Sequence, residues 1–243
     1  MDYYMGIDGG GTNTIACIAN EDGEILKVIK LETTNYHIVG IEKVKETLEK
    51  MIDSLTKELN ISLYQVRSIC MGGSGIDSVR CKEIITDIFR EIGYRNKLYV
   101  YNDSVVALVS ANNGYKGGVV ISGTGSVGLV VDKSGKIQKV GGWGHILDDN
   151  GGGYAIGRDA LSKVMESYDG REGENLLWGK IREELNIENQ EQIVEFIYKD
   201  KVPKKDIASL APLVIELYEK DKLAKNIVDN AIKSLEIIVE TLI

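Results

Sequence analysis

Two short glycine-rich runs, Gly9-Gly10-Gly11-Thr12 and Ser122-Gly123-Thr124-Gly125-Ser126, each sit between stretches that alternate apolar and polar residues. A turn of this kind lets backbone N–H groups converge on an anion with no Cβ in the way. Both runs add hydroxyl donors. Gly10, Gly11, Thr12 and Asn13 in the first, with Gly123, Thr124 and Gly125 in the second, are therefore candidates to hold the β- and γ-phosphates of a nucleotide. Taken singly, either run is an ordinary hairpin turn.

Two carboxylates fall at strand ends, the first beside such a turn. Asp8 closes the first apolar strand, where a carboxylate can hold Mg²⁺ through water; the competing reading is a turn aspartate. Asp103 follows the apolar run Leu98 to Tyr101 and precedes Val105-Val106-Ala107-Leu108. It reads equally as a base at a strand end that accepts a hydroxyl proton or as a helix N-cap.

The stretch Gly141-Gly142-Trp143-Gly144-His145-Ile146-Leu147-Asp148-Asp149-Asn150-Gly151-Gly152-Gly153 is dense in glycine and costly in entropy to order. Trp143 offers an apolar face for a sugar ring. His145, Asp148, Asp149 and Asn150 offer hydrogen bonds to hydroxyls. Adjacent rather than alternating carboxylates argue against a calcium loop.

Other chemistries find little support. Gly123-x-Gly125-x-x-Gly128 matches a dinucleotide fingerprint in letters, but Leu129-Val130-Val131 reads as a strand where that fingerprint needs a helix. No G-x-x-x-x-G-K-[ST] occurs, and Gly72-Gly73-Ser74-Gly75 does not fit a nucleophile elbow. Cys17, Cys70 and Cys81 lack metal spacing and read as reduced thiols. With only His37 and His145, a histidine triad has few ways to form.

The elements that must position these groups follow from periodicity. Strands are expected at Tyr3 to Asp8, Asn13 to Asn20, Glu24 to Leu31, Val66 to Met71 and Lys97 to Tyr101. Helices are expected at Ile38 to Lys57 and Ser78 to Ile92. The order β-β-β-α-β-α-β is that of a mixed sheet with crossover helices. Sliding the chain by 112 positions lays Gly11-Thr12 on Gly123-Thr124, Ile15 and Ile18 on Val127 and Val130, Gly23 on Gly135, and Ile25 and Val28 on Ile137 and Val140. The same strand, Gly-Thr turn, strand, hairpin, strand unit thus occurs twice. Two related lobes are expected, 1–115 and 116–243, each turning a glycine-rich hairpin toward a shared cleft. After Val140 the second reads as helices only: Tyr154 to Ser167, Glu174 to Leu185, Glu191 to Tyr198, Lys205 to Lys220, and Asp221 onward. It is expected to be incomplete at its C-terminal end.

The chain has 243 residues, 29 Lys plus Arg against 37 Asp plus Glu, and a net charge of −8, a balance that disfavours nucleic acid as a partner. No apolar run is long enough for a membrane span. No leader pattern is visible, so a cytoplasmic location is expected. Apolar surface on the last helices suits a homodimer.

These residues together resemble the N-acetylglucosamine kinase family, within the actin-like ATPase and sugar kinase superfamily. The matching stretches are Gly6-Ile7-Asp8-Gly9-Gly10-Gly11-Thr12; Thr34-Asn35-Tyr36-His37 with Gly40; Asn102-Asp103-Ser104; Ile121 to Ser126; and Gly141 to Tyr154. The resemblance implies an actin-like (ribonuclease H-like) α/β fold and an ATP- and Mg²⁺-dependent kinase acting on an amino sugar. It assigns Asp103 as catalytic base, Asn35, Ser74, Asp103, Gly142, Trp143 and Asp149 as sugar contacts, and the two turns as phosphate loops. The family usually reads Gly-Asp-Glu-Gly where this chain has Asp148-Asp149-Asn150-Gly151. Nothing after Gly179 resembles the family's C-terminal Gly-Gly motif for adenosine. Two alternatives stay open: an activator-type ATPase acting on a partner protein, and an amino-sugar sensor without turnover.

Overall fold

The computed structural model describes residues 1–198 and 202–243. The chain divides into two compact units, Met1–Gly114 and Tyr115–Ile243.

In the first unit, strands β1 (Tyr3–Gly9), β2 (Asn13–Asn20), β3 (Ile25–Glu32), β4 (Val66–Gly73) and β5 (Lys97–Asn102) form one sheet in the order β3-β2-β1-β4-β5. β2 runs antiparallel to both neighbours, whereas β1, β4 and β5 are parallel. This mixed sheet is the arrangement the strand pattern predicts. Helices α1 (Tyr36–Val39) and α2 (Ile41–Thr56) lead to β4, α3 (Val79–Glu91) leads to β5, and α4 (Asp103–Ala111) follows it. α2 buries Val44, Leu48, Met51, Ile52 and Leu55 on one stripe. They meet Ile18, Ile69, Met71, Ile85 and Phe89 in a core with almost no solvent access. β4 lies between β1 and β5, and its stretch Ile69 to Gly73 is largely buried.

The helix expected at Ile38 to Lys57 is two helices. Gly40 adopts φ +82°, a left-handed turn that ends α1, and its N–H donates to the Tyr36 carbonyl at 3.0 Å.

In the second unit, β6 (Gly118–Ser122), β7 (Ser126–Val131) and β8 (Ile137–Gly141) form an antiparallel sheet. Mixed strand directions are thus confined to the first unit, because no crossover strand follows β8 among the described residues. Helices α5 (Gly153–Tyr168), α6 (Leu177–Leu185), α7 (Glu191–Tyr198), α8 (Lys204–Ala208), α9 (Ala211–Glu216) and α10 (Lys222–Leu242) complete the unit. α10 lies on the sheet at Gly128, where an added Cβ would come 2.3 Å from Ile238 Cγ2. The helix expected at Lys205 to Lys220 is broken. Pro212 cannot donate into a preceding turn, so α9 starts around it. α6 begins later than expected, at Leu177, and just ahead of it the Asn175 side chain accepts the Trp178 N–H at 3.1 Å.

The 112-residue repeat extends to individual hydrogen bonds. Asn20 Oδ1 accepts from the N–H groups of Asp22 (3.1 Å) and Glu24 (2.9 Å). Asp132 Oδ1 accepts from those of Ser134 (2.8 Å) and Lys136 (2.9 Å). Gly23 and Gly135 sit at φ +81° and +83° in these turns. No helix among the described residues is long and apolar enough to cross a membrane.

Candidate functional site

In the first unit the candidate residues gather at one end of the parallel strands. Asp8 on β1 pairs in register with Gly72 on β4, and Gly72 with Tyr101 on β5. Two residues beyond Tyr101, Asp103 opens α4. Gly72 permits this: an added Cβ would lie 2.6 Å from Val106 Cγ2 and 3.5 Å from Asp103 Cα, so only glycine lets the first turn of α4 rest on the strand. The N-cap of α4 is Asn102, not Asp103. Asn102 Oδ1 accepts from Ser104 N–H at 3.0 Å, and its amide donates to Asp77 Oδ1 at 2.7 Å. Asp103 occupies the first helical position, with Oδ1 accepting from Ser104 N–H at 2.8 Å. Oδ2 has no side-chain or Ser104 partner among the described residues. Burial, opposed by that hydrogen bond and aided by the negative charges of Asp77 and Asp8, holds the Asp103 carboxyl above the usual carboxylate range.

The first turn is tied to Asn35 and Ser74. Ser74 N–H donates to Gly9 carbonyl at 2.7 Å, and Thr33 Oγ1 donates to Gly10 carbonyl at 2.7 Å. Asn35 N–H donates to Thr33 Oγ1 at 3.0 Å, and Asn35 Nδ2 reaches Ser74 Oγ at 3.4 Å. Thr33 and Asp77 went unread in the sequence. The signal for Thr33 is the Thr33-Thr34 pair before Asn35, and for Asp77 a carboxylate three residues past Ser74.

The phosphate reading needs free donors. Gly10 N–H is used on Asn13 carbonyl, and Gly123 N–H on Gly125 carbonyl. The N–H groups of Gly11, Thr12 and Thr124 make no hydrogen bond among the described residues, and all three residues are exposed, as is Asn13. An added Cβ at Gly123 would meet nothing within 4 Å. Both turns can therefore receive an anion. Asp8 is exposed and available to a hydrated cation. No cluster of three or more His, Cys, Asp or Glu able to hold a metal occurs among the described residues.

In the second unit the glycine-rich turn Ser122–Ser126 and the glycine-rich stretch are zipped together. Gly153 and Tyr154 N–H donate to the carbonyls of Gly123 and Thr124 at 2.8 and 2.9 Å. Ser122 Oγ donates to Gly151 carbonyl at 2.8 Å, and Gly151 N–H to Ser126 Oγ at 3.3 Å. Asp149, at φ +67°, places its carboxylate on Gly125. Asp148 and Asn150 face elsewhere: with Ser126, Gly141, Trp143 and Leu147 they line a cavity of about 490 Å³. Gly142 sits at φ +71°, and its carbonyl accepts from Lys139 Nζ at 3.1 Å. Lys139 Nζ lies 5.2 Å from the Trp143 ring centroid, and Trp143 is 69 % exposed. The His145 ring stands edge-on to Tyr154 at 4.7 Å. Burial, with help from Lys204, lowers its pKa.

A model of the BadF/BadG/BcrA/BcrD ATPase family matches residues 5–243. The N-acetylmuramic acid/N-acetylglucosamine kinase of Clostridium acetobutylicum is 36 % identical over 244 residues, covering 100 % of this chain and 80 % of that protein. The N-acetyl-D-glucosamine kinase of Dictyostelium discoideum is 32 % identical over 226 residues, 88 % of this chain and 70 % of its own. The solved structure of a presumed N-acetylglucosamine kinase from Chromobacterium violaceum shares the fold, with a TM-score of 0.82 at 23 % identity, over 100 % of this chain and 83 % of that one.

Proposed function

The chain belongs to the BadF/BadG/BcrA/BcrD ATPase family, and on that premise we propose that it transfers the γ-phosphoryl group of ATP to a hydroxyl of N-acetylglucosamine or a close relative. The observation that carries this reading is the placement of Asp103. A half-buried carboxylate stands at the end of the strand row Asp8–Gly72–Tyr101, with Oδ1 fixed by Ser104 N–H. In the same unit Asn35 and Ser74 sit together beside the first turn. The full-length similarity to a kinase of N-acetylmuramic acid and N-acetylglucosamine supports the substrate class.

The residues divide the work. Asp103 orients the acceptor hydroxyl and takes its proton as the new O–P bond forms. Its raised pKa makes it a better base than a solvated carboxylate. Gly11, Thr12 and Thr124 direct N–H groups, and Thr12 and Thr124 add hydroxyls, to phosphate oxygens whose charge grows as the bond to ADP breaks. Asn35, Ser74, Gly142, Trp143 and Asp149 contact the sugar. Magnesium bound with ATP supplies further charge neutralisation, and Asp8 would hold it through water.

The setting is cytoplasmic, which suits three cysteines that are all free. The assembly is a homodimer, supported by Ile232, Ile237 and Val239 exposed on α10; light scattering on the eluting peak tests it. Mass spectrometry of the sugar after incubation with ATP and Mg²⁺ tests the activity. Phosphorylated N-acetylglucosamine is expected. ATP hydrolysis that ignores every amino sugar would instead assign the chain to partner activation.

A further inference from the structure

α1 is a single turn of helix that carries the Asn35 cap at its start, yet none of its four residues is fully buried. Tyr36 and Val39 pack only partly against the core. One side chain reaches further. Tyr36 Oη donates a hydrogen bond to Sγ of Cys81 on α3 at 2.8 Å, across 45 positions of sequence. Ser78 Oγ donates to the same sulfur at 3.0 Å while accepting Cys81 N–H at 3.2 Å as the N-cap of α3. Cys81 is 7 % exposed, and its sulfur is an acceptor for two hydroxyls.

We infer that Cys81 and Tyr36 are positioning residues for sugar recognition: the hydroxyl–sulfur bond fastens α1 to α3 and so holds Asn35 against Ser74. The inference rests on the amino-sugar reading for its functional consequence, but the fastening itself does not. Gly75 gives it close tolerance, because an added Cβ there would lie 3.1 Å from Asn35 Nδ2 and 3.1 Å from the His37 ring. A loop seated that closely loses its fit if α1 lifts by a fraction of an ångström. The electrostatics agree. Burial pushes the Cys81 thiol up, but the hydrogen bonds led by those from Ser78 and Tyr36 outweigh it and bring the group down to about 6. A thiolate is a stronger acceptor than a thiol. The bond to Cys81, with burial second, pushes the Tyr36 hydroxyl up to about 12, so it remains a donor.

The test uses three variants in the full chain: Tyr36→Phe, Cys81→Ala and Cys81→Ser, the last keeping an acceptor in place. Tyr36→Phe and Cys81→Ala should raise the KM for N-acetylglucosamine by about five- to tenfold, with kcat and the KM for ATP within about twofold of the parent. Cys81→Ser should stay within about threefold on all three constants. Amide exchange over residues 35–40 should quicken in the first two variants and not in the third. Unchanged exchange and KM in Tyr36→Phe and Cys81→Ala overturn the inference. So does a serine variant that behaves like the alanine one, or faster exchange with no change in KM. If the parent phosphorylates no amino sugar, the kinase reading fails on that result, while the exchange measurement still decides whether Cys81 fastens α1.

Discussion

The Asp149 carboxylate rests on Gly125, so closely that a Cβ added to the glycine would come 2.5 Å from Asp149 Oδ2. The Asp149 carboxylate and the second glycine-rich turn therefore share one packing contact. Gly125→Ala should displace that side chain and raise the KM for N-acetylglucosamine by about tenfold. The displaced group is the end of a flexible side chain, so Tm should stay close to the parent's. Gly152→Ala should behave differently. Its Cβ would meet Gly125 backbone carbon at 2.5 Å, and backbone cannot swing aside. A loss of about 1–3 kcal/mol in urea unfolding is expected. Equal Tm values for the two variants would contradict the distinction.

Asp149→Asn separates charge from backbone shape. Asparagine tolerates the left-handed conformation at φ +67°. Thermal stability should be kept and sugar affinity lowered, and calorimetric titration with N-acetylglucosamine checks both.

The pH profile of kcat/KM should report Asp103. Burial, then the charges of Asp77 and Asp8, raise its pKa, and the base works only when deprotonated. Activity should therefore fall on acidification at a higher pH than an ordinary carboxylate gives. Asp77→Asn removes one of those charges and should move the acid limb to lower pH. An acid limb unmoved in Asp77→Asn would remove Asp77 from that coupling.

Stability in the second unit should depend on Asp221. This carboxylate, 8 % exposed, accepts from the N–H groups of Leu223 (2.8 Å), Ala224 (2.9 Å) and Leu176 (2.6 Å), tying the start of α10 to that of α6. Asp221→Ala should cost about 1–3 kcal/mol, read from the urea midpoint.

The duplicated hairpin was legible because it rests on local rules. Alternating apolar residues, a glycine at positive φ, and a side chain at Asn20 or Asp132 that accepts two following N–H groups all lie within a few residues of one another. Asp103 was legible as a strand-end carboxylate, but the capping role belonged to its neighbour Asn102, since either residue can cap by type. The breaks at Gly40 and Pro212 were written in the sequence, but apolar spacing runs through both and masks them. The parts that stayed hidden depend on distance in sequence. Tyr36 meets Cys81, and Asp149 turns to Gly125 while Asp148 and Asn150 turn away; only packing decides such pairings.

The central claim is that the Asp103 carboxylate takes the proton of an amino-sugar hydroxyl during transfer from ATP. Quantifying ADP and N-acetylglucosamine phosphate in the same reaction, for the parent chain and Asp103→Ala, tests it most directly. The account predicts equal amounts of the two products from the parent. It predicts a fall in kcat of about 10²–10⁴ in the variant, with sugar binding retained. ADP formed without sugar phosphate, or near-normal turnover in Asp103→Ala, would contradict it.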